Sequence, residues 1–233
     1  MPRRTIGFIV FALALAAGCV RLGFWQLSRL GERRARNARV AARLDAPPTS
    51  FAEATRDSAN ARFRYVQLTG TYDYARELVL TSRPRSGAPG VYVLTPLVTD
   101  SGPPILVNRG WAYSPDGMQV DLGKWREGDS ASVEGFLEEF VPVTGMVSTP
   151  SQRRGIRHLV RDSVEGRLGE RVAPFVVVQR LGSEQQDSIT HLVRVGAPPL
   201  DEGSHRSYAI QWFAFAAIAL GGAGVVARRG RGA

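Results

Sequence analysis

The strongest pattern along the chain is a pair of long apolar segments, one near each end. The first runs from Ile6 to Leu27 and is interrupted by one charged residue, Arg21. The second, Tyr208–Ala227, carries no charge. Because about 20 helical residues cross a hydrocarbon core of about 30 Å, these segments predict two transmembrane helices, 6–27 and 208–227. The long side chain of Arg21 can carry its guanidinium to the membrane interface.

The first apolar segment also fits a second interpretation, a cleaved export signal. It follows the basic start Met1-Pro-Arg-Arg, and Leu15-Ala-Ala-Gly-Cys19 resembles the lipobox at which bacterial lipoproteins are cut and acylated. Against this, Ala16 stands where a larger aliphatic residue is usual, and the apolar pattern continues past Cys19. We therefore expect an uncleaved span and keep an acylated lipoprotein binding module as the alternative.

Basic residues set the expected orientation of the two spans. An even number of spans places residues 1–5 and 228–233 on the same side, and the arginines at both ends favour the cytoplasm. Residues 28–207 are then expected on the exoplasmic side of a bacterial-type inner membrane. Six arginines follow the first span on the expected exoplasmic side and so oppose this orientation, but charges in a long intervening segment have less influence on it. They are Arg29, Arg33, Arg34, Arg36, Arg39 and Arg43.

Between the spans the pattern changes from helical to mainly extended. Good helix formers predict that the first helix continues through Arg29–Leu44, until Pro47-Pro48 ends it. Apolar residues at every fourth position over 156–168 predict one amphipathic helix. The expected fold is a membrane α+β protein, with two transmembrane helices flanking a mainly β exoplasmic domain. Short apolar runs predict its strands at Arg62–Leu68, Tyr72–Thr81, Val91–Val98, Pro104–Ala112, Ser132–Glu138, Ala173–Gln179 and Ile189–Val195.

Composition narrows the possible functions. The 233 residues carry a net charge of +9, but without the six arginines in and beside the spans there remain 24 basic and 21 acidic residues. This near balance argues against nucleic acid as a partner. One cysteine excludes a disulfide framework, and the three histidines are far apart in the sequence. We find no phosphate-binding loop, nucleophile elbow or zinc-protease motif, and therefore expect no enzymatic activity.

Aromatic and polar side chains gather at the expected outer ends of both spans. One interpretation is an aromatic belt at the depth of the lipid headgroups. The other is a flat apolar ligand held between the helices, with a histidine as an axial iron ligand. The residues are Trp25 and Gln26 on the first span, and His205, Tyr208 and Trp212 on one face of the second.

Three motifs occur in a fixed order along nearly the whole chain. The first is Gly23-Phe-Trp-Gln-Leu-Ser-Arg29, and the second is Gly90–Pro96 followed by Ile105–Trp111. The third is His205-Arg-Ser-Tyr-Ala-Ile-Gln-Trp212. Together they resemble the Gly-x-Trp-Gln-x-x-Arg signature, the central strand pair and the closing His-x-x-Tyr-Ala-x-x-Trp motif of the Surfeit locus protein 1 family, whose members are cytochrome c oxidase assembly factors.

The resemblance implies a function in building the catalytic subunit of cytochrome c oxidase, by supplying or stabilising its haem a. It implies that His205 ligates the haem iron, and that Trp25, Tyr208 and Trp212 form walls of a haem pocket. The implied partners are that catalytic subunit, the haem a synthesis machinery and the lipid bilayer. A scaffold that holds an oxidase intermediate without binding haem is the alternative.

The central strand-pair motif contributes three further candidates, Asn108, Arg109 and Trp111. In a structural interpretation Arg109 pairs within the edge of the sheet and Trp111 packs in the core. In a functional interpretation the same residues contact a partner protein. The sequence leaves both interpretations open.

Overall fold

The fold consists of two compact units, Met1–Ala41 with Pro199–Ala233, and Ala42–Pro198. The computed structural model describes residues 3–142, 154–180 and 192–230. Long helices form the first unit and a mixed sheet forms the second, which confirms the α+β class with a sheet domain between terminal helices. In chain order the elements are α1 (Arg3–Leu44), β1 (Thr49–Ser50), α2 (Phe51–Thr55), β2 (Tyr65–Tyr72), β3 (Leu78–Leu80), β4 (Gly90–Val98), β5 (Ile105–Tyr113), β6 (Ser130–Glu139), β7 (Gly155–Ile156), α3 (Arg161–Leu168), β8 (Phe175–Gln179) and α4 (His205–Arg229).

Helices α1 and α4 contain the two apolar segments. The predicted continuation of the first helix through Arg29–Leu44 is confirmed, because α1 ends at Leu44. Both helices are long and apolar enough to cross a membrane, and 22% and 17% of the residues in their most apolar stretches are buried. The core helix of a soluble protein would be mostly buried, so the exposed apolar surface of these helices is compatible with two membrane spans.

Five strands of the second unit close into a ring. Strands β2, β6, β8, β5 and β4 are neighbours in that order, and β2 pairs again with β4. The β5–β8 pair is parallel, whereas β2–β6, β6–β8, β4–β5 and β2–β4 are antiparallel. Closure removes the free edges of the ring and lets alternate side chains fill its interior. That interior holds, among others, Val66, Leu68, Leu97, Val107, Val133, Leu137 and Val177.

The predicted strand Tyr72–Thr81 is wrong in its middle part. The side chain of Asp73 accepts hydrogen bonds from the backbone N–H groups of Ala75 and Arg76, which folds Tyr74–Arg76 into a 3-10 turn. Only Leu78–Leu80 continues as a strand. An aspartate that bonds its own following backbone competes with extended structure, and this local competition is invisible to a hydrophobic pattern.

The predicted helix over 156–168 is correct only in its second half. Helix α3 covers Arg161–Leu168, whereas Ile156 belongs to β7 and pairs with Leu80 of β3. Both ends of the predicted segment are buried. The unpaired side of β3 binds the backbone of residues 154–156, so a tertiary contact replaces the local helical preference.

Strand β5 contains a β-bulge at Arg109. The strand pairing with β4 passes from Asn108 directly to Gly110, which leaves Arg109 as the extra residue. The Asn108 carboxamide oxygen accepts a hydrogen bond from the Gly110 N–H at 3.2 Å. The alternation predicted for Pro104–Ala112 therefore fails beyond Arg109, because one extra residue shifts the side chains to the opposite faces.

Residues 189–191 of the predicted strand Ile189–Val195 lie outside the described residues. Its described part contributes an isolated bridge between Val193 and Trp111. The two residues exchange backbone hydrogen bonds of 2.7 and 2.9 Å. The segment thus contacts β5, although the described residues form no named strand there.

Candidate functional site

Small side chains let α1 and α4 approach each other. Ala16, Cys19 and Ala216 form one buried cluster, and Trp212 is partly buried against it. A side chain at Gly23 would place its Cβ 2.7 Å from the ring of Phe213, so any larger residue there would require that ring to shift. Later residues of α1 contact earlier residues of α4, which means that the two helices run antiparallel.

The antiparallel packing brings His205, the first residue of α4, to Gln26 of α1. The imidazole Nδ1 lies 2.8 Å from the carboxamide Oε1 of Gln26. A carboxamide oxygen can only accept, so Nδ1 carries the proton and donates it. In the neutral imidazole the second nitrogen, Nε2, then keeps its lone pair, which is the arrangement found in metal-ligating histidines whose other ring nitrogen bonds a carbonyl group.

The aromatic candidates occupy different environments. Trp212 packs partly into the helix cluster, and its ring stands edge-on to Phe215 with 6.0 Å between the ring centroids. Trp25 and Tyr208 are 54% and 48% exposed. Within the described residues their side chains make no hydrogen bond or ring contact. The structure therefore brings together His205 and Gln26, assigns Trp212 to helix packing as well, and leaves Trp25 and Tyr208 on the surface.

The donor set at His205 can be compared with what different metals require. Among the described residues, no three His, Cys, Asp or Glu side chains are grouped as a metal centre built from protein ligands requires. A haem iron takes four donors from its porphyrin and needs only one or two axial ligands from protein. One imidazole with a free Nε2, held by a carboxamide at its other ring nitrogen, fits an axial haem ligand.

A second group of polar residues lies inside the strand ring, around Arg109. Its Nη1 forms an ion pair of 2.9 Å with Glu77 Oε1, and both side chains are fully buried. The Thr95 hydroxyl donates to the same carboxylate oxygen at 2.6 Å. The rings of Tyr72 and Tyr74 have their centroids 5.1 and 5.2 Å from the guanidinium carbon. Desolvation raises the pKa of Tyr72 to about 12.

Two more charged residues complete this buried group. Glu127 lies 3.5 Å from Arg109 Nη2 and 2.6 Å from Arg194 Nη2, so one carboxylate serves both guanidinium groups. Arg194 also donates to the backbone oxygen of Arg109. Desolvation raises the pKa of Glu77, although Thr95 and Arg109 oppose this.

These contacts correct the expectation for Arg109. Strand β5 lies between β4 and β8, so the residue is in the interior of the sheet and not at its edge. A side chain that is fully buried offers no surface to a partner protein, and the structural interpretation is therefore favoured. Trp111 is partly buried, and its indole N–H donates to the backbone oxygen of Arg83 at 2.6 Å.

Comparison with known proteins decides the family. The model of the SURF1 family matches residues 13–217. This range includes most of α1, all of the sheet unit and the first half of α4. The chain belongs to the SURF1 family. Members of this family are known generally as cytochrome oxidase assembly factors.

Several SURF1-like proteins are similar to this chain. An uncharacterized SURF1-like protein of Mycobacterium bovis is 29% identical over 243 residues, which cover 97% of this chain and 87% of that protein. An uncharacterized SURF1-like protein of Mycobacterium tuberculosis has the same identity and coverage. A SURF1-like protein of Rickettsia felis is 38% identical over 94 residues, 40% of each chain.

Within this SURF1-family chain, sequence reasoning missed two partners. The sequence puts Gln26 of the first motif beside Trp25 at the end of the first span, but it does not indicate that the carboxamide contacts His205. Glu77 was not identified, because its partner Arg109 is 32 residues away in the sequence. The available signal was a lone carboxylate directly before the apolar run Leu78–Leu80.

Proposed function

We propose that this protein is a membrane-bound assembly factor for cytochrome c oxidase that binds haem a through His205. The His205–Gln26 contact is the observation that carries the proposal, because it orients an imidazole with a free Nε2. Haem a would bring its own equatorial nitrogens and a redox-active iron. Trp25, Tyr208 and Trp212 would contact its apolar ring.

The membrane part of the proposal rests on α1 and α4. Residues 6–27 and 208–227 would span the bilayer, because their apolar side chains are mostly exposed. Arginines flank each apolar segment on the side nearer its chain terminus, Arg3 and Arg4 before the first segment and Arg228 and Arg229 after the second. The positive-inside tendency places these termini in the cytoplasm and the sheet unit on the exoplasmic side of the inner membrane.

The proposed activity is the transfer of haem a without a chemical reaction. A porphyrin held at the membrane surface can be received from the haem a synthesis machinery and passed to the catalytic subunit of the oxidase. No covalent bond has to be made or broken by this chain, so we propose that it is a chaperone and not an enzyme. This proposed function requires neither nucleic acid nor a second metal.

The test is the haem content of the purified full-length chain from cells that make haem a. We expect a Soret absorption band in the wild type that is lost in His205→Ala. His158→Ala is the matched control, because His158 is an exposed histidine of the sheet unit. A wild-type chain that stays colourless under saturating haem a would overturn the haem proposal. Cross-linking to the oxidase catalytic subunit that does not depend on haem a would then support the scaffold alternative.

The state of Cys19 tests the remaining alternative, an acylated lipoprotein. Its side chain is 5% exposed and packs beside Ala16 and Ala216 in the helix cluster. An intact mass that still includes residues before Cys19 would exclude the acylated lipoprotein. A mature chain that begins with an acylated Cys19 would instead remove the first proposed span.

A further inference from the structure

Two arginines of α1 hold the turn that precedes His205. The guanidinium of Arg33 donates to the backbone oxygen of Asp201 at 3.0 Å and to its carboxylate at 3.1 Å. Arg34 bonds Glu202 through two nitrogens, at 2.7 and 2.8 Å. Paired contacts of this kind fix the direction of the carboxylate as well as its distance. We call these four residues the clamp.

The turn receives one further contact from α1, because the Asn37 carboxamide donates to the backbone oxygen of Asp201 at 2.9 Å. Gly203 has φ +67°, a conformation that favours glycine, and its N–H donates to the Asp201 carboxylate at 2.9 Å. The next residue, Ser204, precedes α4 without any hydrogen bond from its side chain to the helix. A helix start without a capping side chain is free to fray. The orientation of the first helical residue therefore depends on the turn before it.

We propose that the clamp positions His205 so that its Nδ1 meets Gln26 and its Nε2 is presented to an iron centre, an inference that rests on the proposed haem function. The clamp touches no ligand, so its members are positioning residues. Four positions separate Asp201 from His205, and eight separate Gln26 from Arg34 on α1. The turn and the imidazole are thus both fixed against one helix.

Neighbouring charges provide a contrast within the same helix. Arg29 pairs with Glu32 at 2.7 Å, which joins two residues of α1 and nothing on α4. Arg36 is exposed and makes no ion pair with the described residues. Removal of either charge leaves the turn untouched. Arg36, which lies outside the three motifs, is therefore the suitable control for a change in Arg34.

The experiment combines a charge reversal with its rescue. Arg34→Glu opposes Glu202 with a like charge, and Arg34→Glu/Glu202→Arg restores the pair with exchanged signs. Arg36→Glu is the matched control. The first measurement is the tautomer of His205 in the haem-free full-length protein, from the 15N chemical shifts of its ring nitrogens. The second is the affinity for purified haem a, from the Soret band, at low and high salt.

We expect the protonated nitrogen to be Nδ1 in the wild type, in the rescue variant and in the control, and to become mixed in Arg34→Glu. Haem a affinity should fall about tenfold in Arg34→Glu and recover in the rescue variant. High salt should lower the affinity only in proteins that have an ion pair between positions 34 and 202. An unchanged tautomer in Arg34→Glu would overturn the positioning role. If the tautomer changes in Arg34→Glu but the wild-type chain takes up no haem a, the proposed function would be overturned and the positioning role would remain.

Discussion

Nδ1 of His205 lies 2.8 Å from Oε1 of Gln26, although 179 positions separate the two residues in the sequence. Each residue belongs to a different motif, one near the end of the first apolar segment and one at the start of the second. The contact brings the two motifs together in space. It also means that the orientation of the candidate iron ligand is set from the opposite helix.

Gln26→Leu tests this orientation. Leucine has a similar size but cannot accept the Nδ1 proton, so the imidazole loses the partner that fixes its tautomer. Haem a affinity should fall by about 10- to 100-fold, the usual cost of losing the outer partner of a ligating histidine. A Soret titration of the full-length protein measures it.

Gln211→Leu is the control for this change. Gln211 is an exposed carboxamide on α4, and its side chain makes no hydrogen bond with the described residues. We expect wild-type haem affinity in this variant. Equal losses in both variants would contradict a specific role for Gln26.

The lone cysteine offers a test of the antiparallel helix packing. Because Cys19 shares a cluster with Ala216, the variant Ala216→Cys should form an intramolecular cross-link with Cys19 under mild oxidation. The measurement is protection from maleimide labelling after the protein is denatured in detergent, which makes every free thiol accessible, and its reversal by reductant. Ala217→Cys places the thiol on an exposed position one residue further and should stay reactive. Cross-linking of the second variant alone would show a different helix register.

The sequence predicted the helices because their signal is long and local. Twenty uncharged residues at Tyr208–Ala227 are typical of a transmembrane helix. The order of the three motifs along the chain was enough to indicate the family. The candidate ligand His205 also came from a motif. Its partner could not be assigned, because a contact across two helices depends on the register of their packing, which neither helix encodes alone.

The sheet was harder to predict for a different reason. Its strands were found from apolar runs, but Asp73 and Arg109 each changed the backbone through a polar contact. The carboxylate of Asp73 folds a turn, and the bulge at Arg109 reverses the faces of the strand residues that follow it. A hydrophobic pattern shows neither the turn nor the bulge, so it assigns the wrong conformation or the wrong face to the residues around them.

The buried pair of Glu77 and Arg109 should dominate the stability of the strand ring. Glu77→Leu leaves the guanidinium without its closest anion and should lower the free energy of unfolding by about 3–5 kcal/mol. The double variant Glu77→Leu/Arg109→Met removes both charges and should lose less than the sum of the single changes. Chemical denaturation of the full chain, followed by circular dichroism, measures these differences.

An exposed ion pair in the same unit is the control for this comparison. Arg62 and Glu138 are 2.7 Å apart, with side chains 44% and 27% exposed. Glu138→Leu should change the free energy of unfolding by about 1 kcal/mol or less. Similar losses at Glu138 and Glu77 would contradict the importance of burial.

Asp116 should make the stability of the sheet unit depend on pH. Its carboxylate accepts backbone N–H bonds from Gln119 and Met118 at 3.0 and 2.8 Å, and the Ser114 hydroxyl at 2.8 Å. These bonds, that of Gln119 first, lower the pKa of Asp116 below its ordinary value. The ionised form therefore stabilises the fold above the unfolded pKa of about 3.9, and this contribution is lost as the pH falls through the folded pKa.

Asp116→Asn keeps an accepting oxygen at this position and removes only the charge. We expect the denaturation midpoint of the variant to lie below that of the wild type at pH 7. The difference should shrink below about pH 4 and vanish once the wild-type carboxylate is protonated. Asp100→Asn is the control, because Asp100 is exposed and its side chain makes no hydrogen bond with the described residues. A difference that stays constant down to the lowest pH would show that shape, and not charge, limits the substitution.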